Sequence, residues 1–399
     1  MIGPGNNYAT IKIKPKRQES ILRKHPWVFS GAIKSIDGNP GAGDWVCVRA
    51  NKGAILGWGH YSPGTSIAIR LLTFGEEQPD EKWWIDKIAQ AVQVRRDLNL
   101  FTEDNNTCRL IFAEGDGLPG LIADFYAGVL VIQCHTPGMH NVINHLCDAF
   151  AKALDDDLKA IYDKSSKSLA KHGATKSEDG LIWGKIPENH FALEHGNKFN
   201  IDWEKGQKTG FFIDQRENRK LLGEFSKGKK VLNVFSYTGG FSIYAMKARA
   251  SEVHSLDSSA RALEVCEENV DLNGLPQSSH KSINADAVQF LKDELEDYDV
   301  VVLDPPAFAK RASAKHNAVQ GYKRINLRAM ESMKPGSILF TFSCSQAVND
   351  KLFADTIISA GSFGRMNSKL SHQASWKNSV YEVYDKASLP IEWTKELKE

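Results

Sequence analysis

Residues 337–348 read SILFTFSCSQAV, an apolar run that stops on Ser343-Cys344-Ser345. Cysteine is a good small core residue, so packing is one account of Cys344. The other is a nucleophile at the mouth of a sheet. A second stretch, DVVVLDPPAF (299–308), ends an apolar run on an acid, Asp304, followed by two prolines. Pro305 and Pro306 force an extended, rigid turn that presents Asp304 and the Pro306 carbonyl outward. Three further runs end on polar groups. VLNVFSYTGGFSIYAM (231–246) passes through Ser236, Tyr237 and the pair Gly239-Gly240 into a helix. The glycines let backbone approach a ligand, and the helix start can hold a polar or anionic group. EVHSLD ends on Asp257, seventeen residues after Gly240. There an acid can accept both ribose hydroxyls of a nucleoside or, equally well, cap the next helix, as Ser258 or Ser259 also could. HKSINAD ends on Asp286, which can accept a hydrogen bond from an adenine amino group. The glycine turn is neither GxGxxG nor GxxxxGK[ST], which disfavours dinucleotides and nucleoside triphosphates.

These ends must be held side by side. From about residue 205 five buried strand candidates alternate with helical segments: KKVLNVFS, EVHSLD, HKSINAD, YDVVVLD and SILFTFS. That alternation predicts a doubly wound α/β sheet, mostly parallel, with ligands at the carboxyl ends of its strands. Residues 8–74 read instead as short strands separated by GNPGAGD and SPGTS turns, a small β-barrel. Between them WWIDKIAQAVQVRRDL predicts a helix over 81–99 with Trp84, Ile88, Val92 and Arg95 on one face. A compact α+β region follows. The boundaries expected are 1–75, 76–200 and 201–399.

The chain has 399 residues and a net charge of only +1, so any nucleic-acid contact must come from local patches. One patch is Lys12, Lys14, Lys16, Arg17, Arg23 and Lys24, opposed only by Glu19, beside His25-Pro26-Trp27. Cations next to exposed rings suit phosphates and stacked bases. Another follows the proline turn: Lys310, Arg311, Lys315, Lys323, Arg324 and Arg328, with no acid among residues 305–330. Six scattered cysteines lack CxxC spacing, so neither a zinc cluster nor a disulfide framework is expected, and no metal is assigned. The N-terminus is polar and basic and no run is apolar enough to span a bilayer, so a reducing, cytoplasmic setting without membrane attachment is expected.

The C-terminal half resembles a class I S-adenosylmethionine (SAM) methyltransferase. VLNVFSYTGGFS is similar to its first glycine-containing motif, SLDSS to the ribose acid, NADA to the adenine acid and LDPPAF to the catalytic-loop motif. With KTGFFIDQRENR (208–219) and SCS, nearly the whole chain resembles the RlmI-like ribosomal RNA cytosine-C5 methyltransferases, which join a PUA domain, a central α+β domain and a methyltransferase domain. The polar hairpin near 165–182 is the part least matched. The resemblance implies SAM as cofactor and 23S ribosomal RNA as partner. It implies SAM contacts from Lys208, Asp214, Gln215, Asn233, Ser236, Tyr237, Gly239, Asp257, Ser258, Asp286, Asp304 and Pro305. Arg216 could equally reach RNA. It implies Cys344 as nucleophile and Asp304 beside the base, with RNA held by Lys16, Arg17, Arg23, His25, Trp27, Lys310, Arg311, Lys323 and Arg324. C5 of cytosine is a poor nucleophile, and a thiolate added at C6 makes it carbanion-like. The motif after the fourth strand carries no second cysteine, which leaves the elimination base unassigned between Asp304 and a water. Oligomeric state is open, a homodimer included. Two rivals stand beside this reading: transfer to another RNA atom such as guanine N7, which needs no Cys344, and a non-catalytic RNA binder that keeps the SAM fold.

Overall fold

The computed structural model describes residues 8–172, 177–292, 295–309, 311–363, 366–372 and 378–385. The chain divides into two compact units. The first runs to Gly196 and takes in Ile201–Ile213; the second comprises Asn197–Asn200 and the chain from Asp214 onward.

The first unit opens with six strands: β1 (Ala9–Ile13), β2 (Trp27–Phe29), β3 (Ile33–Asp37), β4 (Trp45–Arg49), β5 (Ile55–Tyr61) and β6 (Ile67–Phe74). They pair in the order β2-β6-β5-β4-β1-β3. The two edge strands, β2 and β3, are joined by only Ser30–Ala32. Four Cα steps reach at most about 14 Å, so the sheet must curl until its edges nearly meet. The Ser30 amide donates to the Ser66 carbonyl beside β6, and the Lys14 amide, just after β1, to the Ala32 carbonyl, so the connection is held from both sides. Ile11, Ile13, Val46, Val48, Ile69 and Leu71 fill the interior. The predicted strand WVFSGAI is thus two strands broken by a turn at the seam.

A helix over Glu81–Asp97 follows, capped by Asp80, whose carboxylate accepts the Trp83 amide. Trp83, Trp84, Ile88, Ala91 and Val92 are buried. Arg95 lies on that side, but as half of an ion pair: its Nη2 is 2.8 Å from Asp116. The helix packs with Ile143–Leu154 over a second sheet of β7 (Thr107–Phe112), β8 (Leu121–Tyr126), β9 (Val129–Cys134), β10 (Ala160–Asp163) and β11 (Gly180–Gly184). Short strands β12 (Ala192–Glu194) and β13 (Asn197–Phe199) end the first unit and begin the second.

The second unit holds β14 (Lys230–Val234), β15 (Glu252–Asp257), β16 (His280–Asn284), β17 (Val300–Leu303), β18 (Ile338–Phe342), β19 (Met366–His372) and β20 (Asn378–Asp385). Their order is β16-β15-β14-β17-β18-β20-β19. The first five are parallel, as the sequence alternation predicts, and β20 is antiparallel to both neighbours. Helices Lys315–Ser332 and Asp350–Phe363 cover one face, burying Tyr322, Ile325, Met330 and Ile357. On the other face Phe225 and Phe241 meet Phe340 and Phe342 of β18 at ring distances of 5.8 and 5.3 Å. Chain order reverses between β14 and β17, so the crevice outside their carboxyl ends is where such a sheet binds ligands.

Candidate active site

β14 empties into Phe235–Gly239 at that crevice. Phe235, Tyr237 and Gly239 have φ of 61, 49 and 79°. Three left-handed residues in five, two of them aromatic, store strain of a kind concentrated at binding sites. Gly239 is fixed by space as well as by φ, because a Cβ there would lie 2.2 Å from Cys266 Sγ. The Tyr237 amide donates to Asp257 Oδ2 and the Ser259 amide to Oδ1, both at 2.9 Å. The Asp257 carboxylate is therefore locked at the end of β15, facing the glycine turn. The helix after it is capped by Ser259, whose Oγ accepts the Ala262 amide; Ser258 is exposed beside it. Asp286 does cap: its Oδ1 accepts the Gln289 amide at 2.8 Å.

Beneath the turn lies a buried polar chain that the sequence reading did not identify. Asn233 Nδ2 donates to Ser242 Oγ, which meets Ser255 Oγ, which meets His280 Nε2, at 2.9, 2.7 and 2.8 Å. Asn233 Oδ1 and Ser236 Oγ are buried without a hydrogen-bond partner among the described residues. Buried polar atoms left open at a strained, glycine-containing turn fit a polar ligand that completes them. The donor set suits a nucleoside: a fixed carboxylate for hydroxyls, and amide and hydroxyl groups for the rest. Among the described residues no cluster of His, Cys, Asp or Glu is arranged to hold a metal.

Across the crevice Asp304 follows β17, with Pro305 buried and Pro306 exposed. Asp304 Oδ2 accepts Gln215 Nε2 at 3.1 Å, and Gln215 Oε1 accepts Asn218 Nδ2 at 2.5 Å. Gln215 thus orients Asp304 from the start of helix Arg216–Ser226, while Asp214 beside it is exposed. Lys208, expected at this site, belongs to the first unit, where it is exposed with its ammonium 4.4 Å from the Phe212 ring. Cys344 stands one strand over. Its side chain is exposed between buried Ser343 and Ser345, and its thiol donates to the Pro305 carbonyl at 3.7 Å. The other five cysteines are buried. Burial pushes the Cys266 thiol up to about 12 and Cys147 to about 11, and raises Cys134 and Cys47 as well. A thiol held protonated is a poor nucleophile.

The cations divide by surface. Lys315, Arg324 and Arg328 are exposed on helix Lys315–Ser332 and Lys323 is half-buried, while Arg311 is exposed just before it. Lys310 lies outside the described residues. On the barrel Lys16, Arg17, Arg23 and His25 are exposed. Trp27 is only half-exposed, because its indole N–H donates to Glu114 Oε1 at 2.7 Å. Its ring stands edge-on between His25 and Phe29, at 5.6 and 6.4 Å. Arg17, Trp27, Phe29 and Gly31 line a cleft of about 290 Å³ there. Phe29, 49% exposed, completes an aromatic row in which the sequence reading had singled out only the first two rings.

A family model of S-adenosylmethionine-dependent methyltransferases matches residues 109–372, and a PUA-like domain matches residues 11–74. Ribosomal RNA large subunit methyltransferase I of Shewanella denitrificans is 41% identical over 88% of this chain and 89% of its own. The protein of the same name from Photobacterium profundum is 38% identical over the same shares. A solved Streptococcus mutans chain, provisionally described as a SAM-dependent methyltransferase, superposes with a TM-score of 0.74 at 18% identity. It covers 94% of this chain and 99% of its own. SAM is therefore the cofactor of this chain. With an N-terminal PUA-like domain and a β14–β20 sheet of this order, the chain belongs to the SAM-dependent methyltransferases, in the family of ribosomal RNA large subunit methyltransferase I.

Proposed function

We propose that the protein methylates C5 of a cytosine in large-subunit (23S) ribosomal RNA through a covalent bond between Cys344 and C6. One observation carries the reading: the exposed cysteine lies at the end of β18, hydrogen-bonded to the loop that begins at Asp304. When bound, SAM supplies an electrophilic methyl group. Asp257, with Ser236, Tyr237 and Asn233, would hold its nucleoside part, and Asp286 would accept a hydrogen bond from the adenine amino group. Cys344 loses its thiol proton to water, the resulting thiolate forms the Sγ–C6 bond, and the C5=C6 electron pair moves to C5. Asp304, oriented by Gln215, accepts a hydrogen bond from the N4 amino group and so holds the base against Cys344. After C5 is methylated, loss of its proton returns the pair to C5=C6 and breaks the Sγ–C6 bond. Asp304 or a water takes that proton.

The relatives' names supply the substrate class. Arg311, Lys323 and Arg324 beside the loop, and Lys16, Arg17, Arg23, His25 and Trp27 on the barrel, supply phosphate and stacking contacts. The target base must be splayed from its helix to reach Cys344. The test uses ribosomal RNA from cells lacking the gene, incubated with methyl-labelled SAM and wild-type or Cys344→Ala protein, then digested. Label in 5-methylcytidine that disappears with Cys344→Ala is the expected result. Label in another nucleoside that survives the substitution would return Cys344 to a packing role.

A further inference from the structure

Tyr322 stands mid-way along helix Lys315–Ser332 and is fully buried. Its hydroxyl lies 2.9 Å from Ser345 Oγ, and Ser345 and Ser343 are the two serines that flank Cys344. Ser345 Oγ in addition accepts the amide of Ala309, in the loop that starts at Asp304, at 3.2 Å. The Ser345 amide donates to Ser343 Oγ at 3.4 Å, closing the turn on itself. Burial raises the Tyr322 phenol, so it serves as a neutral hydrogen-bonding group. The ring is wedged between Phe308 of the same loop and Phe353, at 4.8 and 5.3 Å. Gly321 admits that packing, because a Cβ there would lie 3.1 Å from the Phe308 ring.

Backbone from two strand ends thus converges on one pair of hydroxyls. Without that pair the Ala309 amide would lose its acceptor on the Ser343–Ser345 turn. We propose that Tyr322 and Ser345 are positioning residues that fix the Cys344 thiol against the Asp304 loop. Neither touches the substrate; they act through Cys344. The inference rests on Cys344 as the nucleophile.

The test compares Tyr322→Phe, which keeps the ring, with Ser345→Ala and the double variant, in the full-length protein. A misplacement of about 1 Å can slow a reaction about a hundredfold. Each single variant is expected to lose about ten- to a hundredfold in kcat, with KM for SAM and for RNA within about twofold of wild type. The double variant should be no slower than Ser345→Ala, because the contact that Tyr322→Phe removes is one that Ser345→Ala already removes. Amide exchange at Ala309 and Ser345 should quicken while the strand amides of β17 and β18 keep their protection. Wild-type kcat in both single variants, losses that multiply in the double variant, or unchanged exchange would each overturn the assignment. Wild-type turnover in Cys344→Ala removes the nucleophile and this inference with it. An inactive Cys344→Ala beside fully active hydroxyl variants removes the positioning role alone.

Discussion

Replacing Gly239 by alanine sets a steric and a conformational penalty at the same atom. The φ of 79° costs an L-residue about 1–2 kcal/mol. The new Cβ falls 2.2 Å from Cys266 Sγ, on the buried face of helix Ala260–Leu272. Relief requires the helix or the turn to move by more than 1 Å, and overpacking of this kind costs about 1–3 kcal/mol. Gly239→Ala should therefore destabilise the second unit by about 2–5 kcal/mol. It should also weaken SAM binding at least about tenfold, since the turn that moves carries Ser236 and Tyr237. Cys266→Ala removes the Sγ and leaves the Cβ at 3.1 Å, so it relieves the steric part and not the φ part. In a double-mutant cycle the two changes should couple favourably by about 1–3 kcal/mol, with about 1–2 kcal/mol remaining from φ. Urea unfolding gives the stabilities, and titration calorimetry with S-adenosylhomocysteine gives the binding. A Gly239→Ala protein within about 0.5 kcal/mol of wild type would refute the reasoning. So would a double variant whose penalties simply add.

Asp257→Ala removes the acceptor that holds the Tyr237 and Ser259 amides. Calorimetry should show SAM affinity falling about tenfold to a hundredfold, as expected for loss of charge-assisted hydrogen bonds, while RNA binding by gel shift stays near wild type. His60 lies buried against Trp45 at a ring distance of 4.2 Å, and its Nε2 has no partner among the described residues. Burial alone lowers its pKa to about 3. The fold thus holds a neutral imidazole that the unfolded chain protonates below about 6.5. Stability is complete above that pH and is lost as pH falls from 6.5 toward 3, by about 2 kcal/mol at pH 5. Denaturation of wild type and His60→Gln at pH 7 and pH 5 tests the sign: the variant should show the smaller fall.

Regular patterning explains what could be read from the chain. β14, β17 and β18 are short apolar runs followed by polar residues, which makes them and their tips legible; β15 carries only Val253 and Leu256 between polar residues, and β16, HKSIN, expected to be buried, is a half-exposed edge strand with Ile283 as its one apolar residue. Met366–His372 reads MNSKLSH, with no such pattern, and NSVYEVYD lacks a ligand-bearing end; neither suggested two more strands. Side-chain contacts were less legible than strands. The hydrogen bond from Gln215 to Asp304 spans 89 residues of chain, and no local pattern announces it. Asp286 spends one carboxylate oxygen as a helix cap. Trp27 read as an open stacking ring because its tie to Glu114 links two regions 87 residues apart. Tyr322 gave no signal at all, since a tyrosine on a helix face is ordinary until its hydroxyl is seen against Ser345.

The position of β20 has a consequence for synthesis. The strand that carries the Ser343–Ser345 turn, β18, is flanked by β17 on one side and β20 on the other. β17 precedes it, but β20 ends at Asp385, 43 residues after Phe342. At about 5–20 residues per second the growing chain needs about 2–9 s to supply that partner. Throughout that interval the outer edge of β18 is an open template for any strand nearby. The first unit can finish folding beforehand, so nascent-chain aggregation should concentrate on this one edge.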